Sequence, residues 1–105
     1  MKSHSDLSQS KKLIKTLPAE TADSYYCYHD ERYYIVHKEC PYPFTLREKV
    51  PCWSLSALLS LFPSISLDYD GKVWTGVINI EPGSTMTSTG NDPVDVCCNL
   101  IEMKA

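Results

Sequence analysis

The stretch "SISLDYDGKVWTGVINI", residues 64 to 80, decides the class of the fold. Ile65, Leu67 and Tyr69 alternate with Ser66, Asp68 and Asp70. That period of two puts one side of a strand in a core and the other in water. Asp70-Gly71 follows, and both residue types tolerate the positive φ of a two-residue hairpin turn. Such a turn pairs Tyr69 with Lys72, Leu67 with Trp74 and Ile65 with Gly76. It gathers Ile65, Leu67, Tyr69, Trp74, Ile78 and Ile80 on one face, with Trp74 as a core residue. The other face holds Ser, Asp, Thr and Asn, with Val73 and Val77. A hairpin apolar on one side needs helices to cover it.

Helices stand on both sides of it. In "WSLSALLSLFP", residues 53 to 63, Leu55, Leu58, Leu59 and Phe62 fall on one helical face. Ser54 is suited to the N-cap, Trp53 and Leu58 to a hydrophobic staple, and Pro63 to the stop. Downstream, "EPGSTMTSTGN", residues 81 to 91, reads as a polar loop. Asp92 then caps a helix whose first position is Pro93, and Asp95 lies in its first turn. Val94, Cys97, Cys98 and Ile101 form the packing face of that helix, widened by Val96 and Leu100.

Upstream, "SYYCYHDERYYIVH", residues 24 to 37, has β-formers on both sides of a short charged break and reads as a second hairpin. With the break at its end, Tyr28 faces Tyr33, Cys27 faces Tyr34, Tyr26 faces Ile35 and Tyr25 faces Val36. Tyr26, Tyr28, Tyr33 and Ile35 then share one face, and Tyr25, Cys27, Tyr34 and Val36 the other. Both faces are apolar or aromatic and want cover. "CPYPFTLREKVPC", residues 40 to 52, is rich in proline and reads as a loop. Near the N-terminus, Leu7, Ser10, Leu13, Ile14 and Leu17 fit a short helix that Pro18 ends, with Lys11, Lys12 and Lys15 toward its negative end.

The expected architecture is α+β: an antiparallel sheet of two β-hairpins with helices packed on it, in the order α-β-β-α-β-β-α. Residues 1–6 are expected as a disordered tail and 7–105 as a single domain. A chain of 105 residues suits one domain. A formal net charge of −3 gives no electrostatic drive toward nucleic acid, whose phosphates attract Lys and Arg. The first residues, "MKSHSDLSQSKK", contain no apolar signal core, and no apolar run reaches the ~20 residues of a membrane span. A cytoplasmic protein without a membrane partner is the expectation. The odd number of cysteines, five, then reads as free thiols rather than a disulfide framework.

No constellation carries a chemistry. Cys27, His29, His37 and Cys40 are ligand types for zinc, but the spacing is not that of a finger. The hairpin register also puts Cys27 and His37 on opposite faces. Cys97-Cys98 is not the C-x-x-C of a redox site and reads as core. No nucleophile elbow and no P-loop are present. No catalytic residue, cofactor or metal is therefore assigned.

Three segments carry a resemblance: "ETADSYYCYHDERYYIVH", "VPCWSLSALLSLFPS" and "DPVDVCCNLIEMK". They resemble short uncharacterised proteins encoded in phages and mobile elements of gut-dwelling anaerobic bacteria. In those proteins a tryptophan and an apolar helix precede a hairpin, and a helix opening on a "DPVDA"-like motif closes the chain; Val96 stands here in place of its alanine. The resemblance spans residues 17 to 104. It implies an accessory protein of a mobile element and brings no functional residue with it.

The leading reading is a small non-enzymatic interaction module whose partner is protein, self-association included. Its candidate surface is Tyr25, Tyr26, Tyr28, Tyr33 and Tyr34, with either Tyr26, Tyr28 and Tyr33 or Tyr25 and Tyr34 as the outward set. One alternative is a small enzyme with a site near His29, Asp30 and Glu31. The other is a nucleic-acid accessory protein using Lys11, Lys12 and Lys15.

Overall fold

The computed structural model describes residues 2–29, 31–38, 49–62 and 64–104. Its elements are α1 (Leu7–Leu13), a 3₁₀ turn (Ala19–Thr21), β1 (Ser24–His29), β2 (Arg32–His37), β3 (Lys49–Cys52), α2 (Leu55–Leu59), β4 (Ile65–Tyr69), β5 (Trp74–Glu81), β6 (Ser84–Gly90) and α3 (Pro93–Lys104). The class is α+β with antiparallel strands. The strands form two three-stranded sheets, ordered β2-β1-β3 and β4-β5-β6. The single sheet of two hairpins is thus corrected: each hairpin gains a third strand, and among the described residues the two sheets do not join.

Asp70 sets the register of the second hairpin. Its Oδ1 accepts hydrogen bonds from the backbone N–H groups of Lys72 and Val73, both at 2.8 Å, and Gly71 takes φ +97°. The loop therefore runs through Val73, and Tyr69 pairs with Trp74, Leu67 with Gly76 and Ile65 with Ile78. The expected pairing is off by two residues. A slip of two leaves every side chain on its face, whereas a slip of one would invert them all.

Two strands lie where loops were expected. Glu81 pairs with Ser84 across the Pro82-Gly83 turn, with Gly83 at φ +87°. β6 then runs back along β5, and Met86 faces Ile78 on the covered side. Thr85, Thr87 and Thr89 lie exposed on the other side. Threonine is β-branched and suits a strand with one wet face, so a polar sequence is no bar. β3 lies inside the proline-rich segment, and its Pro51 pairs with Tyr25; an edge strand tolerates proline. The remainder of that segment, 40–48, lies outside the described residues.

α3 packs on β5 and β6, and α2 packs against α3. Val94, Val96, Cys97, Leu100, Leu58 and Trp53 are fully buried, joined by Cys98, Ile101, Phe62 and Leu13. Ser54 caps α2 by accepting from Ala57 N at 3.1 Å, and Asp92 caps α3 by accepting from Asp95 N at 3.0 Å.

The expected disordered tail is, over residues 2–6, part of the fold. Ser5 N donates to Trp53 O at 2.8 Å, and Leu55 N donates to Ser3 O at 3.0 Å. Ser5 is fully buried, and its hydroxyl meets that of Ser10 at 2.8 Å. Asp6 caps α1 in a capping box with Gln9. Lys2 bridges Asp6 at 3.0 Å and Asp95 at 2.7 Å, and Gln9 Nε2 donates to the same Asp95 oxygen at 2.6 Å. The physical reason is that backbone pairing needs no side-chain pattern, so a polar segment can join the core without a periodic signal.

Partial burial works to raise the Asp95 carboxyl, but hydrogen bonds from Lys2 and Gln9 outweigh it and hold the group below the ordinary carboxylate range. Asp6 is held low against the same burial effect by the Gln9 N–H and by Lys2. A depressed carboxyl stabilises the fold above its unfolded pKa of about 3.9, and that stabilisation is lost as pH falls through the folded value. Asp95→Asn is expected to lower the melting temperature at pH 7 and to leave a shallower loss of stability below about pH 4. Thermal melts across the acid range check this; parallel curves for the two proteins would refute it.

Candidate interaction surface on the first hairpin

Tyr25, Tyr26, Cys27 and Tyr28 of β1 alternate across its two faces because a strand has period two. The register is Tyr28↔Tyr33, Cys27↔Tyr34, Tyr26↔Ile35 and Tyr25↔Val36, closed by His29↔Arg32. It agrees with the pairing the charged break implies, and Glu31 in that break takes φ +62°. On one face the Tyr28 and Tyr33 rings lie 5.0 Å apart and tilted, and Tyr26 meets Tyr33 edge-on at 6.5 Å. Both arrangements suit the ring quadrupole.

The faces do not divide into one outward and one inward set. Exposure changes along the hairpin instead. Toward the turn, Tyr28 (48%), Tyr33 (41%), Tyr34 (46%) and Ile35 (43%) are exposed on both faces. Toward the base, Tyr25, Tyr26 and Val36 are half-buried, and Ser24 and Cys27 are buried. The cause is the N-terminal segment and β3, which meet the hairpin at its base. Tyr26 Oη donates to Ser5 O at 2.8 Å, and Ser24 pairs with Cys52. Of the five candidate tyrosines, the structure leaves Tyr28, Tyr33 and Tyr34 open and ties Tyr26 down.

Cys52, Cys97 and Cys98 are buried free thiols and Cys27 is buried; Cys40 lies outside the described residues. Burial pushes Cys52 and Cys98 up to about 12 and Cys97 up to about 11. At neutral pH these thiols stay protonated and are poor nucleophiles and poor ligands. Among the described residues no three His, Cys, Asp or Glu side chains converge as metal ligands. The His29 side chain and Asp30 lie outside the described residues.

One histidine of the expected disordered tail is in the fold. His4 forms a strand bridge with Ser54; its Nδ1 lies 2.8 Å from Ser3 Oγ and its Nε2 3.4 Å from Ser24 Oγ. Asp23 is nearby but committed elsewhere: it accepts from Ser54 N at 2.9 Å and from Ser54 Oγ. Partial burial works to raise Asp23, and the Ser54 bonds outweigh it and hold the carboxyl low. The relay order of a nucleophilic triad is absent, since the carboxylate orients the α2 cap and not the imidazole. No sequence signal marks His4, a lone histidine in a polar segment.

Hollows lie elsewhere among the described residues. A groove of about 240 Å³ between Thr16, Leu17, Leu61, Phe62, Ile101 and Lys104 is mostly apolar. A wider one of about 410 Å³ lies around the Asn79–Gly83 turn and opens to solvent. Neither lining joins a nucleophile to a base. Lys11, Lys12 and Lys15 are exposed. No helix among the described residues is long and apolar enough to cross a membrane. Comparison of the chain with protein-family models, curated proteins and solved structures finds no match in any of the three.

Proposed function

We propose that the chain is a small non-enzymatic interaction module that binds protein through the outer part of its first hairpin. The observation that carries this reading is the exposure of Tyr28, Tyr33 and Ile35 side by side on one face of β1 and β2, with Tyr34 exposed on the other. Contiguous apolar surface of this kind marks interfaces, and tyrosine is enriched there because its ring buries area while its hydroxyl stays hydrogen-bonded. The buried thiols of Cys52, Cys97 and Cys98 support a reducing, cytoplasmic setting. The resemblance to proteins of phages and mobile elements fits an accessory role of this type. Catalysis finds less support, because the described polar clusters serve caps and strand seams.

The triple variant Tyr28→Ser, Tyr33→Ser, Tyr34→Ser tests the reading. Each exposed change should cost within about 0.5 kcal/mol, so the circular dichroism spectrum should stay native. Association measured by light scattering, or capture of a partner by the immobilised chain, should be lost in the variant. An unfolded variant, alongside a wild type that is monomeric and captures nothing, would make these tyrosines core and end the proposal.

A further inference from the structure

We infer that the partner of this surface is a second copy of the chain, joined edge to edge along β2 in an antiparallel two-fold pairing. This rests on the reading of the hairpin as a binding surface and gives it an occupant and a register. Lys38 N donates to Asp23 O at 3.0 Å, and the pairs of an antiparallel ladder alternate between bonded and non-bonded. Arg32, Tyr34 and Val36 therefore turn their backbone groups toward β1, and Tyr33 and Ile35 turn theirs to the outer side. Among the described residues no strand lies beyond β2.

The opposite edge of the same sheet is protected. Pro51 of β3 faces Tyr25, a non-bonded position of the β1–β3 ladder, so its missing N–H lies on the outer side, where it discourages pairing. β3 also packs against α1. β2 has no such device. Its residues Arg32 to Ile35 are exposed on both faces of the sheet.

Charge selects the register. A two-fold axis normal to the sheet keeps each side chain on its own face, so opposed residues must share parity. Centred on Tyr34, the pairing sets Tyr33 against Ile35 of the second copy, and each such pair exchanges both backbone bonds. The Tyr34 rings of the two copies then meet across a close, non-bonded pair. Glu31 comes opposite His37 of the second copy, on the same face, acid against base. Centred on Ile35, Arg32 would face Lys38, like against like. The Tyr34-centred pairing joins two three-stranded sheets into one continuous sheet.

Sedimentation of the full chain at about 10–500 μM, the range suited to a small interface, should show a monomer–dimer equilibrium. Ile35→Pro removes an N–H that β1 does not use, at an edge position where proline is tolerated. It should keep the native dichroism and raise the dimer Kd by about 100-fold or more, since it blocks bonds central to the pairing. Within one chain Glu31 and His37 lie about 20 Å apart along the strand, beyond the ~8 Å screening length. Glu31→Lys, which sets a cation against His37, and His37→Glu, which sets acid against acid, should each weaken the dimer by about 5-fold, and the double variant, which restores opposite charges across the seam, should recover it. A double variant no tighter than the single ones overturns the register even if Ile35→Pro fails to fold. A folded Ile35→Pro that dimerises like the wild type overturns edge pairing. If that dimer is lost in the triple tyrosine variant, the ring surface stands without the edge. A wild type monomeric throughout overturns the second copy as partner and leaves the surface to the capture experiment.

Discussion

Trp53→Ala is expected to remove most of the stability of the domain. The ring is fully buried, its Nε1 donates to Thr21 Oγ1 at 3.0 Å, and its backbone holds Ser5 by a bond in each direction. Truncating a buried tryptophan costs about 3–5 kcal/mol, from lost transfer energy and from the cavity left behind. A domain of this size has about 5–15 kcal/mol in all. With a urea slope of about 1–2 kcal/mol/M, the unfolding midpoint should fall by roughly 2 M or more, or no transition should remain. A shift below about 0.5 M would place Trp53 outside the core. Trp74→Ala is the useful comparison. The sequence marks Trp74 as the core tryptophan, but it lies half-buried near the loop end of its hairpin, its ring 5.0 Å from that of Tyr69, itself 56% exposed. Its loss should cost about 1–2 kcal/mol, the value of a partly covered aromatic pair.

Gly76→Ala is expected to destabilise by about 1–3 kcal/mol, the usual penalty of overpacking. A Cβ at Gly76 would overlap Val96 Cγ1 and come within 3.2 Å of Leu100 Cδ1 and 3.3 Å of Leu67 Cδ2. Leu100 can shift by rotation. Val96 is fully buried on α3, and a β-branched side chain on a helix has one strongly preferred rotamer, so the helix itself must lift from the sheet. Gly90 lies under the same valine, with a Cβ there 3.3 Å from Val96 Cγ2. The two glycines mark where helix and sheet approach most closely. Val96→Ala alone should cost about 2 kcal/mol for its cavity. The double variant should be more stable than the sum of the single losses by about 1 kcal/mol or more, because the added methyl occupies the space the valine vacates. Additive losses in denaturant titrations would show that these two side chains do not meet.

Sequence periodicity and turn chemistry were sufficient for the local elements. The faces of β4 and β5, the register of β1 and β2, the caps at Ser54 and Asp92 and the packing side of α3 can all be read from side chains within a few residues of one another. The candidate tyrosines were legible as a group for the same reason. β6 was not, because a strand of serine and threonine with one half-buried methionine carries almost no apolar alternation. Residues 2–6 were not, because they enter through backbone bonds to Trp53 and Leu55 far along the chain.

By itself, then, the sequence determined an α+β domain, two hairpins with known faces and three amphipathic helices, since these follow from the period of the backbone and from capping. Tertiary structure decided which edges are paired, which tryptophan is buried and which tyrosines remain open. The first hairpin is covered where residues 2–6 and β3 reach it and bare where they end. That boundary depends on contacts between segments distant in sequence, and no local pattern encodes how far such a contact extends.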